Sequence, residues 1–263
     1  MENLANAISQ NAIQQHVLDE ILGDFAIFME PQLLLEPNFI EIKKIKVDND
    51  KIKKYSTLLS NIDYAWKKVK KYQIYFQEFY PATTKIGKIE ALNHHIHAYL
   101  NDMVRLRNKI LEFFGTAKND IKKAAFNKKE IEDFFQAGIV KTKEVFGQVT
   151  DQRDLHHHQG MRFFDINLLK AENAEGSIRF LNNPVINSIL NQERKPELIE
   201  RFRKEEDQSF EVARDSWVKM AQKNDLQIFG YLHEVFIAVK PALYQYLNMK
   251  PVKDIFKQPQ QKV

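Results

Sequence analysis

The chain has 263 residues, of which 44% are apolar and 28% charged, with a formal net charge of +4, so it has the composition of a globular protein and is not wholly disordered. It has no cysteine, which excludes disulfides, thiolate zinc sites, iron–sulfur clusters and a cysteine nucleophile. Because no apolar run approaches the roughly 18 residues of a membrane span and residues 1–15 lack a signal-peptide pattern, we expect a cytoplasmic protein.

Apolar spacing in the first part of the chain predicts helices with one interruption. An N-terminal helix over 3–29 is expected to end before Pro31. Near 39–47 the alternation of Ile40 and Ile42 with polar residues predicts a short strand or hairpin. The run Asp48-Asn49-Asp50 is then expected to cap a long helix, whose clearest stripe covers 55–79.

Lysine is dense in two stretches of this part of the chain, 43–54 and 67–71. One interpretation is a solvated helix face on which the aliphatic stems cover apolar surface. The other is a surface that contacts phosphate groups, whose binding would depend on salt.

The clearest periodicity lies in 88–115. Apolar residues recur there at alternating spacings of three and four, which is a heptad seam typical of a helix packed along antiparallel neighbours. Gly115 is expected to end this helix, and a neighbour is predicted over 128–146. The seam consists of Ile89, Leu92, Ile96, Tyr99, Met103, Leu106, Ile110 and Phe113.

The pattern loosens beyond Gly147, where we predict a series of further helices. They cover 161–172, a short segment from Pro184, 195–223 and 225–249, the last of which Pro241 kinks or splits. The prediction is therefore one all-α domain over 1–249, built as a bundle of long antiparallel helices. Its parts are a bundle core at about 50–172, additional C-terminal helices at about 184–249, and a frayed tail at 250–263.

Two histidine clusters are the main candidates for chemistry, because the sequence has no phosphate-binding glycine loop, zincin motif or nucleophile elbow. His94, His95 and His97 fall outside the seam, and we interpret them as exposed residues without a role. The second cluster lies in 152–160. There Asp154 and His158 are four residues apart, so on a helix they would touch.

These residue types suit phosphodiester chemistry. A carboxylate raises the pKa of a histidine and orients its ring, and Arg153 adds a fixed cation suited to phosphate. Arg153 would hold the phosphate and His158 would move a proton. Two alternatives remain. Asp154, His157 and His158 also fit a metal site, and Arg153 and Asp154 also fit the first turn of a helix capped by Thr150 or Asp151.

One short motif resembles that of the HEPN superfamily. It consists of Arg153, Asp154 and, after three more residues, His158, and it lies at the expected start of a helix within a bundle of long helices. The stretch 97–114 also looks like the long helix that precedes the motif in some bacterial members. The resemblance implies a metal-independent endoribonuclease without a cofactor, in which the RNA 2′-hydroxyl attacks the adjacent phosphate and leaves a cyclic phosphate and a 5′-hydroxyl.

Carried over to this chain, the resemblance implies a role for each motif residue. His158 would be the general acid and base, Arg153 would stabilise the charge of the transition state, and Asp154 would orient one of them. His157, which is also a rival for the catalytic place, is expected to contact the RNA, and Arg162 is a further candidate for that contact on its position alone. The family further implies a homodimer, a cognate antitoxin or other protein partner, and a place in toxin–antitoxin or anti-phage defence. The alternatives are a non-catalytic helical module that binds a protein, and a metal-dependent enzyme.

Overall fold

The computed structural model describes residues 16–34, 38–78, 80, 86–159, 165–189 and 192–256; for Phe39 and for 152–159 it describes the backbone alone. Every regular element within these ranges is a helix, so the predicted all-α fold is confirmed. No helix in the described ranges combines the length and the apolar character that a bilayer span requires. The helices are α1 (Val17–Met29), a 3-10 turn (Pro31–Leu33), α2 (Asn38–Lys43), α3 (Asn49–Lys70), α4 (Tyr72–Glu78), α5 (Lys88–Ala124), α6 (Lys128–Gln159), α7 (Ile166–Leu181), α8 (Pro184–Ile189), α9 (Lys195–Leu247) and α10 (Val252–Ile255).

The heptad seam lies on α5, and all eight of its residues are buried as predicted. The predicted end at Gly115 is wrong, because α5 continues for nine more residues to Ala124. Ala117 and Ile121 extend the buried line beyond the glycine. Their burial outweighs the roughly 1 kcal/mol that a glycine costs inside a helix.

The strand or hairpin predicted near 39–47 is also wrong, because 38–43 forms α2 and no strand occurs in the described residues of this region. Ile42 is buried whereas Ile40 is largely exposed, so the alternating residues do not share one buried face. The predicted cap is confirmed: the Oδ1 atom of Asp48 accepts the backbone N–H of Lys51 at 3.1 Å and so satisfies one free donor of α3.

The described chain divides into two compact units, which we treat separately, and the prediction of a single domain stays a prediction. The first unit comprises 1–66, 106–145 and 227–263. In its core the ring centroid of Phe113 lies 6.2 Å from that of Tyr55 and 5.3 Å from that of Phe236. The buried Asp24 of α1 accepts the hydroxyl of Tyr244 in α9 at 2.7 Å.

The second unit comprises 67–105 and 146–226. Three large aromatic side chains from different helices meet in its core. Ring centroids are 5.7 Å apart for Phe76 and Tyr99 and 5.9 Å apart for Phe76 and Trp217. Both the tilted and edge-on arrangements are favourable for aromatic pairs.

One helix, α9, replaces the two that were predicted over 195–223 and 225–249, and Pro241 does not split it. Pro241 is exposed, and so is Ile237, whose carbonyl would otherwise accept an N–H at position 241. Because both lie on the solvent side, water can serve that carbonyl. Val239 and Leu243 keep the other face buried.

The chain beyond α9 belongs to the first unit, as does the end of α9 itself. α10 is a single helical turn within the predicted tail, and its Val252 N–H donates to Asp24 Oδ1 at 3.3 Å. Residues 257–263, the remainder of that tail, lie outside the described residues.

Candidate functional site

The predicted motif lies in the last turns of a helix. Arg153, Asp154, His157 and His158 belong to α6, and their side chains lie outside what the structure describes. Arg162 lies entirely outside the described residues. The backbone nevertheless fixes the register of the motif, because successive helical residues are rotated by about 100°.

That register groups the motif into two pairs. Asp154 and His158 are one turn apart and share a face, as predicted for a carboxylate and an imidazole that interact. Arg153 and His157 are also four apart and share another face. Arg153 and His158 are five apart, which separates them by about 140° around the helix. Within a single copy of α6, Arg153 and His158 therefore do not face the same direction.

The buried side of α6 locates these faces relative to the core of the second unit. Phe146 and Val149 are buried and three residues apart, and position 153 continues their line after four more residues. Position 158 is nine residues from Val149, which corresponds to about half a rotation. Position 153 therefore continues the line of Phe146 and Val149 in register, and position 158 lies about half a rotation from it.

The prediction that a helix starts at the motif is wrong. Thr150 lies inside α6, and its hydroxyl donates to the carbonyl of Phe146 at 2.8 Å, the back-bond that a threonine makes within a helix. Neither Thr150 nor Asp151 caps a helix. The sequence suggested a break at Gly147, but a single glycine is tolerated in a long helix when its neighbours are buried.

Asp165 is a polar anchor on the C-terminal side of the motif that sequence reasoning missed. Its Oδ1 atom accepts the N–H groups of Asn167 and Leu168 at 2.9 and 3.1 Å, which caps α7, and its Oδ2 atom accepts the indole N–H of Trp217 at 2.9 Å. A signal was present, because Asp165 directly precedes the apolar residues of α7. This carboxylate therefore fixes the residue at which α7 begins.

The other histidine cluster lies off the buried seam of α5, as predicted. His94 is exposed and His95 is half-buried, with the ring centroids of Tyr75 and Tyr80 each 6.1 Å from that of His95. Where side chains are described, no group of three or more histidines, aspartates and glutamates could hold a metal ion. The alternative metal site of Asp154, His157 and His158 falls outside that description.

A buried carboxylate, Asp102, forms the most connected polar cluster among the described residues of the second unit. It accepts the hydroxyl of Tyr72 at 2.7 Å, the ammonium of Lys68 at 3.0 Å and a guanidinium N–H of Arg105 at 3.3 Å. Burial, together with the bond to Asp102, raises the pKa of Tyr72 well above its usual range. With both oxygens engaged, Asp102 is suited to holding helices together rather than to accepting a substrate proton.

Comparison of the chain with protein-family models, curated proteins and solved structures finds no match.

Proposed function

We propose that the chain is a HEPN-like, metal-independent endoribonuclease of the cytoplasm that acts as a homodimer. The observation that supports it best is the register of α6, which puts Asp154 and His158 one turn apart on a single face. A carboxylate next to an imidazole is the arrangement that a proton-transferring histidine requires. The all-α fold agrees with the fold class that the resemblance implies.

In the proposed reaction His158 takes the proton of the RNA 2′-hydroxyl, and the oxygen so activated attacks the adjacent phosphorus. The bond from phosphorus to the 5′ oxygen breaks, and the leaving oxygen takes up a proton. The products are a 2′,3′-cyclic phosphate and a 5′-hydroxyl. Arg153 offsets the negative charge that develops on the phosphate oxygens, Asp154 orients the imidazole, and His157 and Arg162 contact the RNA.

The proposal places each site between two copies. Positions 153 and 158 are about 140° apart around one α6, so we propose that Arg153 comes from one copy and His158 from the other. The rival arrangement uses Arg153 and His157, which share a face within one copy.

The first test is cleavage of mixed RNA in EDTA by wild type, His158→Ala and Arg153→Ala. We expect each variant to lose about a hundredfold or more in rate, and the wild-type products to end in cyclic phosphate. The matched controls are His94→Ala and Arg203→Ala, which change exposed residues outside the motif and should leave the rate unchanged. Cleavage that EDTA abolishes would instead support the metal-dependent enzyme.

Mixing the two inactive variants tests the shared site. If each site combines Arg153 of one copy with His158 of the other, a refolded mixture of Arg153→Ala and His158→Ala regains about a quarter of the wild-type rate, because half of the dimers are mixed and each has one intact site. If both residues act within one copy, the mixture stays inactive. Loss of cleavage in His157→Ala but not in His158→Ala would transfer the proton-transfer role to His157.

A protein-interaction module is the second candidate, and exposed apolar side chains support it. Phe180 on α7 and Val185 and Ile189 on α8 are more than half exposed, and apolar residues exposed together are typical of a surface that binds another protein. RNA that stays intact with wild-type protein, at concentrations where the homodimer forms, would favour this function over the ribonuclease.

A toxin–antitoxin or anti-phage defence role, with a cognate antitoxin as partner, remains part of the proposal. It follows only from the resemblance of the motif. Growth arrest of cells that express the wild type, with normal growth on expressing His158→Ala, is the result expected of a ribonuclease toxin.

A further inference from the structure

An open cleft of about 430 Å³ lies within the first unit, where the ends of α5 and α9 meet the starts of α3 and α6. Its apolar floor includes Ile121 and Ile131, and two aromatic side chains, Phe126 and Tyr246, line it. The volume is in the range of pockets that hold a small organic molecule or one nucleotide.

The full exposure of Phe126 is not explained by the packing of the fold. It lies in the short link between α5 and α6, and its ring is fully exposed to solvent. A phenylalanine held in water contributes nothing to stability and is a favourable contact for a ligand with an apolar face. Tyr246, in contrast, is held in place, with its ring edge-on to that of Tyr55 at 6.0 Å.

A lysine lies at the mouth of the cleft beside the fixed aromatic ring. The ammonium of Lys51 is 5.0 Å from the ring centroid of Tyr246 and 3.3 Å from a carboxylate oxygen of Asp48. Because both members of this ion pair are nearly half exposed, it contributes little energy and a stronger anion could displace Asp48. A phosphate placed there would lie next to the face of Tyr246.

The chain on either side of Phe126 is rich in exposed lysine. Lys123, Lys128 and Lys129, which we call the rim lysines, are exposed and lie within three residues of Phe126 in the sequence. Glu130 is an exposed carboxylate in the same stretch. A fourth lysine, Lys122, pairs with Glu132 at 2.6 Å. Three lysines against one free carboxylate favour an anionic partner.

We propose that this cleft binds unpaired nucleotides of single-stranded RNA. A base would stack on Phe126 or Tyr246, and the flanking phosphates would contact Lys51 and the rim lysines, which is the combination by which proteins hold single strands. The half-buried Tyr246 lines the concave cleft, where a flat ring can reach it more easily than a lipid surface can, whereas the protruding Phe126 could contact either. The choice of RNA over DNA rests on the proposed function, whereas the stacking and the charge do not.

The test measures binding of a fluorescent single-stranded 12-mer of 2′-O-methyl RNA, which lacks the attacking hydroxyl and therefore stays intact. We expect Phe126→Ala to weaken binding about tenfold, the loss of one stacked base. Lys51→Gln should weaken it less and lower the salt dependence by about one ion. The matched control for the ring is Phe180→Ala, which removes an exposed ring in the other unit. The matched control for the charge is Lys53→Gln, because Lys53 is exposed, lies two residues from Lys51 and does not line the cleft. Both variants should bind as wild type.

Three results would overturn the inference. One is unchanged affinity in Phe126→Ala, and another is equal binding of a 12-base-pair duplex, because either shows that phosphates alone are recognised. The third is binding that depends on Phe126 to vesicles of anionic phospholipid but not to the RNA, which would assign the surface to a membrane. Since Phe126 is exposed, unfolding curves of Phe126→Ala should match the wild type and exclude a folding defect.

The experiments distinguish a failure of the RNA-binding cleft from a failure of the proposed ribonuclease function. Binding that depends on Phe126, with no cleavage of ordinary RNA by the wild type, would support the cleft and contradict the ribonuclease. Cleavage that His158→Ala abolishes, with affinity unchanged in Phe126→Ala, would do the reverse.

Discussion

At the scale of single residues, the tyrosine and carboxylate pairs of the core are the clearest physical feature. Tyr72 and Asp102 are buried, 30 residues apart in sequence, and joined by a hydrogen bond of 2.7 Å. Such a bond satisfies two groups that would each be costly to bury alone. It also explains how a helical bundle accommodates a carboxylate in its interior.

We expect Tyr72→Phe to lower the free energy of unfolding by about 1–2 kcal/mol at neutral pH, because Asp102 loses a donor in a place that water does not reach. Urea unfolding followed by circular dichroism measures this loss. Tyr64→Phe is the control, since the Tyr64 side chain is 72% exposed and should change stability by less than about 0.5 kcal/mol. Equal effects of the two substitutions would contradict the importance of the buried bond.

The candidate site shows where residue-level prediction succeeds and where it stops. The sequence placed Asp154 and His158 at helical spacing, and the structure does put both on α6. The sequence could not show that α6 continues unbroken from Lys128, and without the helix bounds the 140° between Arg153 and His158 could not be calculated. Asp165 was missed because its partner, Trp217, is 52 residues away.

At the scale of helices, the seam of α5 was predictable because eight regularly spaced residues outweigh any local ambiguity. The helix bounds that were predicted wrongly are those that rested on a single glycine or proline. Gly115 does not end α5, and Pro241 does not divide α9. In both places buried residues continue on the core side, and tertiary packing overrides local preference.

Two glycines of the first unit should respond to alanine in opposite directions. A Cβ atom on Gly138 of α6 would come 2.6 Å from the buried ring of Phe114 on α5, so Gly138→Ala should destabilise the protein by about 1–3 kcal/mol. A Cβ atom on Gly115 would meet no heavy atom within 4 Å. Gly115→Ala should therefore stabilise the protein by about 0.5–1 kcal/mol, the difference in helix propensity.

Thermal unfolding of the two variants beside the wild type measures this contrast. A melting temperature that rises in both would mean that α5 and α6 approach less closely at Gly138 than the structure has them. Only a closely packed crossing gives a fall in one variant and a rise in the other.

At the scale of the whole molecule, Glu20 connects three helices of the first unit. Its carboxylate on α1 pairs with Lys240 of α9 at 2.9 Å and with Lys253 of α10 at 2.7 Å. Partial burial by itself raises the pKa of Glu20, but the bonds and charges of Lys253 and Lys240 outweigh it and lower the pKa below the usual value.

A carboxylate whose pKa is lowered by folding stabilises the protein above its ordinary pKa of 4.5, and that contribution is lost as the pH falls through the lowered value. Glu20→Gln should therefore cost about 1–2 kcal/mol at pH 7, where it leaves the largely buried Lys240 without its carboxylate, and progressively less as the pH falls below 4.5. Urea unfolding at several pH values measures the difference. Glu144→Gln, which breaks an exposed pair with Lys141, should show no such pH dependence.

The bond between Asp24 and Tyr244 has a consequence for how the chain is made. The two residues are 220 positions apart, so a ribosome adds that many residues after Asp24 before the carboxylate can meet the hydroxyl that satisfies it. Until then α1 has its apolar side chains, including Phe25, without the helix that covers them. A nascent chain stalled before residue 244 would expose this apolar segment, which is the kind of surface that chaperones bind.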